Sequence, residues 1–309
     1  MAGRQGGRRP AAGPTRKRPK PGGKPRPTAR RGASTKPGPK KKAKKKARGA
    51  SRRATVRVTP VPVDVETDGK MRLNRFLAGC GICSRRAADG LISEGRVTVN
   101  GEVVDELGSR VDPGKDEVKF DGEKLAIETP VYVLFNKPKD VVCTNARHEI
   151  RRRAVDFLGG IRGRIYTVGR LDAESEGLIL LTNDGNFAQS VAHPRFGVPK
   201  TYAVLVRGRV ARESLHKVRG GVWLSEGRTR GGDVRIERMS RDRTYLKVTL
   251  REGKNREIRR VFARMGHSVL SLKRVRIGAL SLHGLRAGGH RFLRPEEVRG
   301  LLRLAGQGS

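Results

Sequence analysis

Val168-Gly-Arg-Leu-Asp-Ala-Glu-Ser-Glu-Gly-Leu-Ile-Leu-Leu-Thr-Asn-Asp-Gly185 sets a charged segment, Arg170 to Glu176, between two apolar, strand-like pieces, with Gly169 and Gly177 as brackets. A sheet presents a loop carboxylate to a cleft in this way: the strands supply rigidity and the loop supplies exposure. On pattern alone, an aspartate at position 172 is more often a turn or capping residue than a catalytic one. Further strand-like runs are Val131–Phe135, Leu178–Leu181, Thr201–Val206, Tyr245–Leu250 and Val269–Ile277. Helix-like stretches are Asn186–Ala192, Arg212–Val218, Asn255–Met265 and Pro295–Leu304. The strands do not alternate strictly with helices, which predicts an α+β domain over 130–305 and not a doubly wound sheet.

A smaller module precedes it, over 70–126. Met71–Gly79 reads as a helix with Leu73, Phe76 and Leu77 on one face and Arg72 and Arg75 exposed. Ser84 is the expected N-cap of a second helix, Arg85–Ser93, which Gly95 stops. Val97-Thr-Val, Asn100-Gly101 and Glu102-Val-Val form a hairpin signal, because Asn-Gly supplies the positive φ angles of a type I′ turn.

Residues 1–63 hold 22 Lys and Arg and no acid; the first carboxylate is Asp64. Residues 1–68 are therefore expected to be a disordered basic tail, with too few apolar side chains to offset ordering entropy. The remaining 246 residues still carry 47 basic against 30 acidic side chains, so the folded part is basic in its own right. Such an excess points to nucleic acid, where neutralising phosphates releases condensed counterions. A membrane is the competing polyanion, but the chain has no apolar run of spanning length and no basic amphipathic helix with aromatic residues opposite. The opening Met-Ala-Gly-Arg runs into Pro and Lys, so no signal peptide is expected; a cytoplasmic protein, acting as a monomer, is the expectation. Cys80, Cys83 and Cys143 imply no disulfide framework. Cys80-Gly-Ile-Cys83 lacks a second CxxC or a nearby histidine, and the six histidines form no ligand-spaced cluster, so no metal is expected.

The segment MRLNRFLAGCGICSRRAADGLISEGRVTVNGEVV, residues 71–104, resembles an S4 domain, a small RNA-binding module. The resemblance implies a phosphate-binding face made of Arg72, Arg75, Arg85, Arg86 and Arg96. GRLDAESEGLILLTNDG, residues 169–185, resembles the signature of the RsuA-type pseudouridine synthases, whose GRLD aspartate is the nucleophile. Asn136-Lys-Pro138 resembles that family's "NKP" strand, and Lys200-Thr-Tyr202 its "KxY" segment, whose tyrosine lies against the target base. Glu252-Gly-Lys-Asn-Arg-Glu-Ile-Arg-Arg260 resembles its third motif, where the arginine matching Arg259 pairs with the aspartate. The resemblance implies Asp172, Tyr202 and Arg259 as catalytic residues on a mixed, mainly antiparallel sheet with flanking helices. Arg170, Lys137 and Arg256 join the S4 arginines as expected RNA contacts. The whole layout is most similar to the RluB-like branch, which implies ribosomal RNA of the large subunit (23S) or a pre-ribosomal particle as partner; a 16S target is the alternative.

The chemistry asks for these residue types. Making pseudouridine breaks N1–C1′, turns the uracil and joins C5 to C1′. An ionised carboxylate can trap or stabilise the oxocarbenium character at the sugar, or it can deprotonate C2′, and the residues do not choose between these routes. A carboxylate in a dry pocket needs a fixed cation to remain charged, and a planar, permanently charged guanidinium suits it better than an ammonium. A tyrosine ring can stack on a flipped uracil while its hydroxyl bonds to a polar partner. Isomerisation requires no cofactor. Two other readings stand beside this one. A non-catalytic ribosome-assembly protein would be marked by loss of Asp172, Tyr202 or Arg259. A Mg²⁺-dependent nuclease would need more convergent carboxylates than Asp172 and Glu174 in one loop.

Overall fold

The computed structural model describes residues 69–161 and 163–306. The basic tail read from the sequence lies outside the described residues. No described helix is long and apolar enough to cross a membrane.

The N-terminal module packs two helices, Leu73–Gly79 and Arg85–Ser93, on small antiparallel sheets. Strands Val97–Val99 and Glu102–Val103 form the hairpin at Asn100-Gly101, whose φ angles are 54° and 93°. Only residues with little penalty at positive φ make this two-residue turn, so the Asn-Gly pair sets the register. Ser84 caps the second helix by accepting from the Ala87 N–H at 3.1 Å. The first helix starts at Leu73, later than the expected Met71. Met71–Arg72 pairs instead with Arg110–Val111, and the Leu73 N–H donates to Ser109 O at 2.8 Å. That pairing buries Met71 with Phe76, Leu77, Ile92 and Val118.

The larger domain is built on one mixed sheet. Its strands run in the order Gly232–Met239, Arg243–Leu250, Lys200–Arg207, Val269–Ile277, Glu176–Thr182, Tyr132–Lys137 and His290–Phe292. Tyr166–Val168 pairs with Glu176–Thr182 beside this path. Neighbours are antiparallel except Val269–Ile277 with Glu176–Thr182, which is parallel. In the central strands, successive side chains enter opposite cores. Val133, Phe135, Ile179 and Leu181 join one cluster, while Tyr132, Leu134, Leu178 and Leu180 join the other. Burial on both faces explains why these strands read as unbroken apolar runs. Helices Gly185–Ala192 and Pro295–Leu304 cover one face, and Arg212–Gly220 and Glu257–Ala263 contribute to the other.

Gly232–Met239 was not among the expected strands. It is an edge, where Val234 is buried while Asp233, Arg235, Glu237 and Arg238 face solvent. Outward charges discourage edge-to-edge pairing, and they also mask the apolar alternation.

Candidate active site

The Asp172 loop is held from beneath. Asp172 O accepts from the Ser175 N–H at 3.0 Å, closing a turn, and Leu171 anchors in the core as the neighbouring buried residue. Lys137 is fully buried, and its ammonium donates to the carbonyls of Pro138, Val141 and Ala173 at 2.9, 2.7 and 3.2 Å. The Asp140 N–H reaches the same Ala173 carbonyl at 2.8 Å. Burial pushes the Lys137 ammonium below its ordinary pKa. This corrects the expectation that Lys137 contacts RNA, because a side chain with no exposed surface, spent on three carbonyls, cannot reach a phosphate. It fixes the loop that carries Asp172.

Gly177 ends the loop at φ +108°, and a Cβ there would lie 2.3 Å from Arg274 O. The close parallel pairing of Gly177 with Arg274 therefore requires glycine. Arg274 also pairs with Tyr202 on its other side. One residue thus joins the end of the Asp172 loop to the tyrosine strand.

These elements enclose a cleft of about 380 Å³ lined by Arg170, Leu171, Asp172, Ser175, Lys200, Tyr202, Glu252, Arg256, Glu257 and Arg274, among others. Tyr202 is 9% exposed, and Arg170 is exposed at the rim. Arg256 Nη1 lies 3.8 Å from Asp172 Oδ2 and also bonds to Glu174. Arg259 does not meet Asp172, contrary to the pairing implied by the third motif. One turn into its helix, it points under the loop: Nη1 donates to Val269 O at 3.2 Å and Nη2 to Ser175 Oγ at 3.5 Å. Its Nε sits 3.5 Å from Glu174 Oε1 without hydrogen-bond geometry and has no other partner. Arg256 reaches the cleft because it precedes the helix in the left-handed region, at φ +47°. The same kink explains why the helix spans Glu257–Ala263 and not Asn255–Met265.

Sequence reasoning assigned no role to four polar groups of this cleft. Glu252 accepts from the Arg230 N–H at 2.5 Å, and Glu257 accepts from the Lys254 N–H at 2.9 Å. Burial pushes the Glu257 carboxyl up to about 7, opposed by that N–H and reinforced by Glu252. Lys200, 8% exposed, donates to Val198 O at 3.2 Å; burial and then the Arg274 charge bring its ammonium down to about 8. Arg274 is 3% exposed, and its Nε donates to Leu178 O at 2.6 Å. The legible signal was a cation on an inward position: Arg274 lies two residues from buried Leu272, and Lys200 two residues from buried Tyr202.

A second cavity of about 750 Å³ lies between the two folded parts and shares Gly169 and Ala192 with the cleft. Arg85 and Arg86 line it and are exposed, whereas Arg75 is half-buried and donates to Asn186. Arg72 is exposed at the start of its helix. Arg96 bonds to Asp121 and lies 4.7 Å from the Phe120 ring centre, so it is already paired. Cys80 and Cys83 are half-buried free thiols, and burial, then Glu128, pushes Cys80 up to about 12.

The sequence profile of RNA pseudouridylate synthases matches residues 131–264, and that of the S4 domain matches 71–118. Ribosomal large subunit pseudouridine synthase B of Bacillus subtilis is 41% identical over 239 residues, covering 77% of this chain and 98% of that protein. An uncharacterized RNA pseudouridine synthase of Aquifex aeolicus is 38% identical, with 77% and 96% covered. A solved crystal structure of a pseudouridylate synthase superposes with a TM-score of 0.54 at 28% identity, over 75% of this chain and 99% of that one. The chain, an S4 domain followed by a mixed-sheet catalytic domain, belongs to the RNA pseudouridine synthase family.

Proposed function

We propose that this protein isomerises a uridine of ribosomal RNA to pseudouridine, with Asp172 as the carboxylate that meets the sugar. The convergence of Asp172, Tyr202 and Arg256 in one cleft supports the chemistry. Asp172 is held by a loop whose Ala173 carbonyl is fixed from below, so it is positioned before substrate arrives. Arg256 supplies the nearby cation and Tyr202 the wall against which a flipped base lies. The likeness to a large-subunit enzyme favours 23S RNA as the target. The arginine-lined cavity that continues from the cleft to the S4 domain gives the RNA backbone a path.

Two measurements test this reading. Pseudouridines are mapped in ribosomal RNA from cells with and without the gene; one large-subunit position should disappear, and a missing 16S position would reassign the target. Asp172→Asn preserves size while removing charge, so RNA binding should survive and tritium release from C5-labelled uridine should vanish. A tenth of the wild-type rate would be enough to remove Asp172 from its role.

A further inference from the structure

Arg274 is the least expected group in the cleft. Its guanidinium is buried, its Nε is satisfied by Leu178 O, and its Nη2 has no hydrogen-bond partner. Among the described residues, no carboxylate forms an ion pair with it or with Lys200, the second buried cation of the same cleft. Leaving a buried donor without a partner is unfavourable, and more so when it is charged. Such a group persists where a ligand completes it. Backbone pairing puts Arg274 directly across from Tyr202, at the wall assigned to the base, while the exposed Arg170 and Arg256 occupy the rim where a phosphate would stay hydrated.

We infer that Arg274, assisted by Lys200, receives the uracil ring as an anion when its bond to the sugar breaks. The inference rests on the reading of the cleft as a uridine isomerase. When N1–C1′ cleaves, the bonding pair leaves with the base, and the charge spreads over N1, O2 and O4. The Arg274 guanidinium, which lines the cleft, donates to a ring oxygen that is a weak acceptor in the nucleoside and a strong one in the anion. That difference makes the contact catalytic and not merely binding. The ring then joins C1′ through C5, and the proton lost from C5 balances the one gained at N1. Asp172 serves the sugar half of the broken bond and Arg274 the base half.

The test exploits the leaving group. Fluorine at C5 withdraws charge, so the 5-fluorouracil anion leaves more easily and needs less help. Single-turnover consumption of the target nucleotide is followed by nuclease digestion and chromatography, in ribosomal RNA transcripts containing uridine or 5-fluorouridine. Arg274→Met should slow uridine consumption about 100-fold and 5-fluorouridine consumption by about tenfold less than that, with RNA affinity little changed. Arg274→Lys keeps a charge on a shorter stem, so it should fall between and show the same narrowing; it decides the matter if Arg274→Met does not fold. Equal losses on both RNAs, or weaker binding with a flatter salt dependence, would make Arg274 a structural or phosphate-contacting residue and overturn the inference. An unchanged rate would do the same. Wild-type enzyme on uridine RNA is the control: its inactivity would refute the isomerase reading itself, not the role of Arg274.

Discussion

Among the described residues, Arg256, three residues before the arginine that the third motif points to, holds the guanidinium nearest Asp172, at 3.8 Å. Glu174 bonds to Arg256 and lies within ion-pair distance of Arg259, so one carboxylate ties the rim cation to the cation beneath the loop. The division of labour between the two arginines can be measured. Arg256→Met should lower turnover by about tenfold or more with little change in the melting temperature, because its side chain is exposed at the rim and its pairs are surface pairs. Arg259→Met removes charged donors to Val269 O and Ser175 Oγ. It should cost about 2 kcal/mol in urea denaturation. If Arg259→Met leaves stability intact but abolishes turnover, the motif's pairing holds in the working enzyme.

Lys137→Met tests the buried clamp. Three carbonyls lose their common donor, so stability should fall by about 3 kcal/mol, and the loop should lose its fixed position. RNA affinity at low salt should not change, since the ammonium never reaches solvent. A loss of affinity with unchanged stability would return Lys137 to the RNA interface.

Glu257 makes stability depend on pH. Its carboxyl is raised from an ordinary value of 4.5 to about 7, so the folded chain holds a proton that the unfolded chain has released between those values. The stability it contributes is complete below pH 4.5 and is lost as pH rises through 7. Glu257→Gln keeps an oxygen for the Lys254 N–H and removes the ionisation. Relative to wild type, the variant should gain melting temperature at pH 8 and gain little at pH 5. A constant difference across that range would place the titration elsewhere.

Much of this was legible in the sequence because chemistry and fold were written in the same residues. Ser84, Asn100-Gly101 and the two-faced apolar strands each have a local cause, a cap, a turn geometry or a burial pattern, that acts over a few residues. Asp172 and Tyr202 were recognisable from motifs and meet in the cleft. The misassigned residues depend on causes far along the chain. Lys137 reads as a surface cation until Ala173 and Val141 fold over it. Arg256 displaces Arg259 through one left-handed φ, which no propensity of arginine foretells. Arg274 is one of three cations in Lys273-Arg-Val-Arg276: alternation from buried Leu272 sets Lys273 apart, and only the sheet's register separates Arg274 from Arg276.

The pairing of Gly177 with Arg274 also fixes when the enzyme becomes competent. It joins segments nearly a hundred residues apart, and parallel pairing of this kind closes slowly because loop entropy is lost before contacts compensate. The Asp172 loop receives its neighbour only after Val269–Ile277 has been synthesised and has slotted between two strands already made. A nascent chain stalled before residue 269 should therefore carry a folded S4 domain that binds RNA while its cleft remains unassembled. Pulse proteolysis of stalled chains would show the order. During synthesis, affinity for RNA should precede the power to alter it.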